Sequence, residues 1–183
     1  MKKILAMVGS PRHGGNTDLL VEEALKGAAE GGAHTEKVFL ADLDIGACRG
    51  CAACLRNEVE WCVQEDDMIA LYQKVLSADA IILGTPIYWW GPTAQLKLFI
   101  DRWYALMGDK RQELQGKTVV LICAMGDTDP ATARHTIGMF EDSFSYLGMP
   151  FENQLVVSAH EKGEVATNKE ALSEAWHLGN YLA

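Results

Sequence analysis

Four of the chain's five cysteines, Cys48, Cys51, Cys54 and Cys62, fall within fifteen positions in a C-x2-C-x2-C-x7-C run. Thiolates so placed suit one iron-sulfur cluster or one zinc ion. Ligands at two-residue gaps turn their sulfurs toward a common centre on a looped backbone, and the fourth closes the tetrahedron. The run differs from the bacterial ferredoxin pattern, whose last gap is three residues with proline following, because here the gap is seven and Val63 follows. With no second set of cysteines, one cluster is the natural occupant. Thiolates serve zinc about equally well, and reduced thiols or one adventitious disulfide are the plain alternative. Cys123, inside an apolar run, reads as a small buried hydrophobe.

A second constellation is Gly9-Ser10-Pro11-Arg12-His13-Gly14-Gly15-Asn16-Thr17, between an apolar run and a helical pattern. A strand-to-helix turn offers free backbone N–H groups and the positive end of a helix, which together form an anion site. Its glycines let a phosphate approach the backbone, and Ser10, Asn16 and Thr17 add short donors. No lysine follows the glycines as a P-loop requires, and no G-x-G-x-x-G is present, so one phosphate is expected rather than a nucleoside triphosphate or a dinucleotide. The plain alternative is a turn capped by Asn16 or Thr17.

A third segment, Thr85-Pro86-Ile87-Tyr88-Trp89-Trp90-Gly91-Pro92-Thr93, also follows an apolar run, and Met125-Gly126-Asp127-Thr128 follows another. In a sheet of order 2-1-3-4-5 the loops after strands one and three flank the topological switch point, where a ligand crevice opens. A phosphate loop facing an aromatic, proline-bounded loop suits a phosphate ester with a flat ring, such as riboflavin phosphate (FMN). Backbone amides along Pro86 to Gly91 would bond the ring's polar edge, and Tyr88, Trp89 or Trp90 would shield a face. As core or subunit-interface residues these aromatics would need no ligand. The Met125–Gly126 turn would close the site.

Positioning these loops requires alternating strands and helices. Strands are expected at Lys3 to Val8, Thr35 to Leu40, Ala80 to Gly84, Thr118 to Ala124 and Glu152 to Val157; helices at Thr17 to Glu30, Glu65 to Ser77, Thr93 to Met107, Ala131 to Leu147 and Lys169 to Leu182. Runs such as Val119-Val120-Leu121-Ile122 are apolar without alternation, as strands covered on both faces are. Five such units imply a doubly wound, five-stranded parallel α/β sheet with right-handed crossovers and helices on both faces. The 183 residues are expected to form one domain, with a cysteine-rich loop at 46–64. The acidic run Glu65-Asp66-Asp67 reads as favourable charge at a helix N-terminus. Asp101-Arg102 reads equally as a surface ion pair or a functional one. The histidines show no ligand spacing.

A net charge of -9 without a basic patch argues against nucleic acid or an anionic membrane as partner. No apolar run approaches a membrane span, and the N-terminal run Ile4 to Val8 is too short for a signal peptide, so a cytoplasmic protein is expected. Clustered cysteines in that setting are metal or redox ligands rather than disulfides.

Together, Gly9-Ser10-Pro11-Arg12 with Gly15-Asn16-Thr17, the run from Cys48 to Cys54, Cys62-Val63-Gln64-Glu65-Asp66-Asp67-Met68, and Thr85-Pro86-Ile87-Tyr88 with Lys97, Asp101 and Arg102 resemble the flavodoxin-like NAD(P)H-dependent FMN reductases, and within them the iron-sulfur flavoproteins. The resemblance covers nearly the whole chain. It implies FMN held by Ser10, Arg12, Gly15, Asn16 and Thr17 at the phosphate, and by Thr85, Pro86, Ile87, Tyr88, Trp89, Trp90, Gly91, Met125 and Gly126 around the ring. It also implies a 4Fe-4S cluster on Cys48, Cys51, Cys54 and Cys62, and a homodimer or homotetramer. No side chain stands out as acid, base or nucleophile, which suits flavin-centred chemistry. A flavin takes two electrons from a nicotinamide and releases them singly, and a cluster passes one at a time, so the expected activity is electron transfer from NAD(P)H to a quinone-like or protein acceptor. A non-enzymatic flavodoxin-like carrier and a cluster-free reductase with a zinc site or free thiols are the alternatives.

Overall fold

Unbroken apolar runs such as Ile81-Ile82-Leu83 form strands buried on both faces in a computed structural model, which describes the backbone of residues 1–183 and every side chain except that of Glu152. Five strands, β1 (Lys3–Val8), β2 (His34–Phe39), β3 (Ala80–Pro86), β4 (Thr118–Met125) and β5 (Phe151–Ser158), pair in parallel in the order β2-β1-β3-β4-β5. This is the flavodoxin-like order expected from the sequence, and its switch point lies between β1 and β3.

Alternate residues of each strand face two separate cores. Ile4, Ala6, Val8, Ile82 and Val120 pack against α1 (Asn16–Glu30) and α5 (Lys169–Leu182). Leu5, Met7, Leu83 and Leu121 pack against α2 (Met68–Ser77), α3 (Ala94–Arg102) and α4 (Arg134–Leu147). The two helices of the first layer touch backbone to backbone. A Cβ on Gly27 would meet the Trp176 carbonyl oxygen at 2.0 Å, and one on Gly179 would meet that of Ala24 at 1.7 Å.

Three helices differ from the sequence expectation, each for a local reason. α2 begins at Met68 rather than Glu65, because the Asp66 and Asp67 carboxylates accept from Gly46 N and Asp44 N and hold the preceding chain as a loop. α3 stops at Arg102 and tightens into a 3₁₀ turn at Trp103–Leu106. There the Tyr72 hydroxyl donates to the Arg102 carbonyl at 3.1 Å, taking an acceptor that a longer helix would use. The segment Pro130–Ala133 is a 3₁₀ turn capped by Asp129, and α4 proper starts at Arg134. Strand bounds lie within two residues of those expected. No helix among the described residues is long and apolar enough to cross a membrane.

Candidate functional site

At the carboxyl edge of the sheet a cleft of about 200 Å³ is lined by Ser10, Arg12, Gly15, Asn16, Thr17, Pro86, Ile87, Tyr88 and Met125-Gly126, together with Ala159, His160 and Lys162. Its floor is the turn after β1. Gly9 N donates to Gly84 O at 2.7 Å, and Thr93 Oγ1 donates to Gly9 O at 2.8 Å. A side chain on Gly9 would meet Leu96 Cβ and Thr93 Oγ1 at 2.9 Å, so glycine alone lets the two loops close on each other. Arg12 N donates to Ser10 Oγ and Gly15 N to Arg12 O, which curls the chain onto the start of α1. Gly15 caps that helix without a side chain, so the first N–H groups of α1 face the cleft unclaimed by a cap. Asp18 supports the turn from behind: its carboxylate accepts from Gly14 N at 2.7 Å and is paired with Lys37 at 2.9 Å.

Asn16, expected as a phosphate donor, has its amide committed elsewhere. Its Nδ2 donates to Ala159 O at 3.2 Å and Glu161 O at 2.8 Å, and its Oδ1 accepts from Val165 N at 3.2 Å. Asn16 therefore ties the loop after β5 to the phosphate turn, and what it offers a ligand is its backbone N–H. That tie brings His160 and Lys162 to the rim, two residues the sequence reading passed over. The signal that could have found them is positional, since Ala159-His160 follows the fifth strand at the same sheet edge. With Arg12 they gather basic groups on one cleft of a chain whose net charge is -9.

On the other side Ile87 N donates to Ala124 O, and Tyr88 and Gly91 close a two-residue turn through reciprocal bonds of 2.9 and 3.0 Å. The residues inside this turn are Trp89 and Trp90, at φ 51° and 61°. Positive φ at both central positions belongs to the turn type usually made by Asn-Gly, so two tryptophans hold it under strain. Trp90 O accepts from Thr136 Oγ1 at 3.0 Å, which fixes the second of them. With Ile87, Met125, Gly126, Asp127 and Thr132 the two indoles line an adjoining cavity of about 220 Å³. Thr85 and Gly91 line neither space. The buried Thr85 hydroxyl accepts from Thr93 N and donates to Pro86 O, which makes it a brace for the loop.

The four clustered cysteines line one small cavity of about 20 Å³ with Tyr72, Arg102, Tyr104 and Ala105. Their loop turns through positive φ at Gly50, Ala52 and Asn57 and is pinned by Gln64 Nε2 to Ala47 O at 3.0 Å and Arg56 Nη1 to Cys51 O at 3.0 Å. Trp61 stacks on Tyr72 with centroids 5.4 Å apart. Cys54 and Cys62 are half-buried, Cys48 and Cys51 exposed. Burial pushes the Cys54 thiol up against two backbone hydrogen bonds, with Cys62 and Cys51 adding to the rise. Among the described residues no three His, Cys, Asp or Glu groups converge as one metal ion would require. Cys123 is fully buried and its thiol is pushed up to about 12 by that burial, as a core residue's would be.

Beneath the thiols Arg102 is 1% exposed, so it belongs to no surface pair. Asp101 instead pairs with Lys97 at 2.5 Å on the outside of α3. The Arg102 guanidinium forks onto Asp66, Nη1 to Oδ2 at 2.5 Å and Nη2 to Oδ1 at 3.0 Å, and Nη1 also reaches Gly46 O at 2.8 Å. Burial opposes ionisation of Asp66, but Arg102 and the Gly46 N–H outweigh it and hold the carboxyl below its usual range. The cysteine cavity shares no lining residue with the cleft. Thr93, beside Gly9, caps the start of α3, and Arg102, beside the cysteines, is its last residue; the nine residues of the helix span about 13 Å.

Comparison with known proteins agrees with this layout. The sequence profile described as NADPH-dependent FMN reductase matches residues 2–163. A Bacillus subtilis protein provisionally named an NAD(P)H-dependent FMN-containing oxidoreductase is 31% identical over 182 residues, 96% of each chain. An iron-sulfur flavoprotein of Methanosarcina thermophila is 39% identical over 147 residues, 80% of this chain and 75% of that one. Against two other archaeal iron-sulfur flavoproteins the matched region spans 51% and 56% of their length. Among solved structures, one described as Trp repressor binding protein from Bacillus subtilis superposes with a TM-score of 0.73 at 28% identity over 96% of both chains.

Proposed function

The chain belongs to the NADPH-dependent FMN reductase family, and from that membership we propose an oxidoreductase of the iron-sulfur flavoprotein type, which passes electrons from NAD(P)H by way of FMN and a cysteine-held 4Fe-4S cluster to a quinone-like or protein acceptor. Membership makes it an FMN-dependent NAD(P)H oxidoreductase; the cluster, the acceptor and the residue roles are the proposal. The carrying observation is that one chain presents both a basic cleft at the switch point and a separate cavity lined by four cysteines.

The residues fit FMN. The open N–H groups of α1, the Ser10 and Thr17 hydroxyls and Arg12 would receive its phosphate, and Pro86 to Tyr88 with Met125-Gly126 would border its ring. When bound, the flavin supplies two-electron exchange with a nicotinamide and one-electron exchange with a partner. The protein's part is positioning. The Trp89-Trp90 turn would wall the space beside a bound ring, and Asp127, bonded to Thr132 Oγ1 at 2.6 Å and held below the usual carboxylate range by that bond and the Asp129 N–H, would place a negative charge there. The cysteine cavity fits a cluster in donor type and in a buried donor, Arg102 Nε, that meets no acceptor among the described residues.

Protein purified without oxygen should carry FMN, iron and acid-labile sulfide, and stopped-flow mixing with NADH or NADPH should bleach the flavin. Cys54→Ser should lose iron and sulfide, keep FMN, and slow one-electron acceptors far more than flavin reduction. Full FMN with neither iron nor sulfide in the wild type refutes the cluster and leaves a plain FMN reductase; flavin that nicotinamide reduces only slowly would make the chain a carrier.

A further inference from the structure

Family membership gives the four thiols an occupant but gives Arg102 no role. A guanidinium offers five N–H donors, and this one lies almost wholly out of water. Nη1 and Nη2 are taken by Asp66 and Gly46 O. Nε is buried and, among the described residues, has no acceptor. An unanswered buried donor on a charged group is uncommon and demands an account. Arg102 lines the cysteine cavity, whose other walls include Ala52, Val63 and Ala105 and the polar side chains of Gln64 and Tyr104, neither of whose oxygens meets Nε. Tyr72 lines it too, but its hydroxyl is already donating to the Arg102 carbonyl. The acceptor that such a cavity would supply is sulfur.

We propose that Arg102 is a positioning residue that sets the potential of the cysteine-held cluster: its Nε–H donates a hydrogen bond to a cluster sulfur, and its clamped positive charge favours the reduced state. This rests on the cluster reading above. A cluster gains negative charge with each electron, so a donor on a fixed cation stabilises the reduced form more than the oxidised one, and hydrogen bonds to sulfur are a recognised control on such potentials. The clamp makes arginine necessary. Asp66 grips the two Nη groups and also accepts from Gly46 N, so the guanidinium plane is fixed relative to the start of the cysteine loop. Lysine would keep a charge beside Asp66 and lose the fork.

The test compares wild type, Arg102→Lys and Tyr72→Phe, all loaded with FMN and reconstituted anaerobically with ferrous iron and sulfide. Readouts are iron and sulfide per chain, the thermal melt by circular dichroism, and an EPR-monitored redox titration. Arg102→Lys should bind FMN and assemble the cluster, with its reduction equilibrium shifted at least tenfold toward the oxidised state, or 59 mV for one electron. Tyr72→Phe, which leaves Nε in place, should shift it far less. A wild-type cluster whose potential Arg102→Lys leaves unchanged overturns the inference while the cluster reading stands. Wild type with FMN but no iron or sulfide overturns both. Should Arg102→Lys not fold, labelling arginine with ¹⁵N at Nε in a background carrying both Arg49→Lys and Arg56→Lys decides the matter. Pulsed EPR of the reduced cluster should show a coupled ¹⁵N, and its absence sinks the proposal.

Discussion

Asn16 holds two loops together through three hydrogen bonds that cross from the first strand–helix turn to the last. Each is worth about 1 kcal/mol net, so Asn16→Ala should destabilise the protein by about 2–3 kcal/mol in urea melts. It should also weaken FMN binding about tenfold or more by releasing the loop that carries His160 and Lys162. Unchanged affinity in a fluorescence titration would mean the fifth loop plays no part in binding. Asp66 gives a second residue-level prediction. Its folded carboxyl lies below the 3.8 of an unperturbed aspartate, so its contribution to stability is complete above that value and is lost as the pH falls through the lower folded one. Wild-type stability should drop on going from pH 5 to pH 3, with Asp66→Asn showing a shallower drop from a lower starting point. Parallel curves for the two proteins would show that Asp66 is not what the acid attacks.

The turn between β3 and α3 combines an ordinary hairpin geometry with residues unsuited to it. Trp89 and Trp90 at positive φ each carry strain of about 1–3 kcal/mol. Replacing the pair by Asn-Gly should raise the stability of the FMN-free protein by about 1–2 kcal/mol, while reduction of bulky acceptors slows because the walls of the adjoining cavity are gone. Equal urea midpoints for the two proteins would show the turn to be unstrained. Strands, helices and the switch-point loops were legible in the sequence because apolar periodicity and Gly/Pro punctuation are local signals. The phosphate turn was legible for the same reason, since Gly9 to Thr17 is contiguous. What stayed hidden depends on distant partners: Asn16 meets residues 143 and more positions away, and Arg102 meets Gly46 across 56. Charge pattern on α3 alone could not tell Arg102, turned inward to Asp66, from Asp101, turned outward to Lys97. The early end of α3 was hidden likewise, because the Tyr72 hydroxyl that closes it comes from a different helix.

At the scale of the molecule, exposed aromatic surface concentrates where the candidate site opens. Trp89 is 91% exposed, and Tyr88 and Trp90 beside it are 43% and 49% exposed. A contiguous apolar patch of this kind is seldom left to water in a soluble protein and commonly marks an interface. A self-complementary contact around a two-fold axis would bury the patch twice over and place each protomer's cleft against the other's surface. A homodimer or larger homo-oligomer is therefore the expected state of the FMN-loaded protein at micromolar concentration by light scattering. Trp89→Lys should shift that equilibrium toward monomer, with tryptophan emission moving to longer wavelength as the remaining indole becomes wetter. The same variant separates assembly from cofactor binding. Trp89 does not line the phosphate side of the cleft, so FMN content should survive in a monomeric Trp89→Lys protein. An FMN-bound wild type that scatters as a monomer would show that these indoles face solvent for the ligand's sake alone.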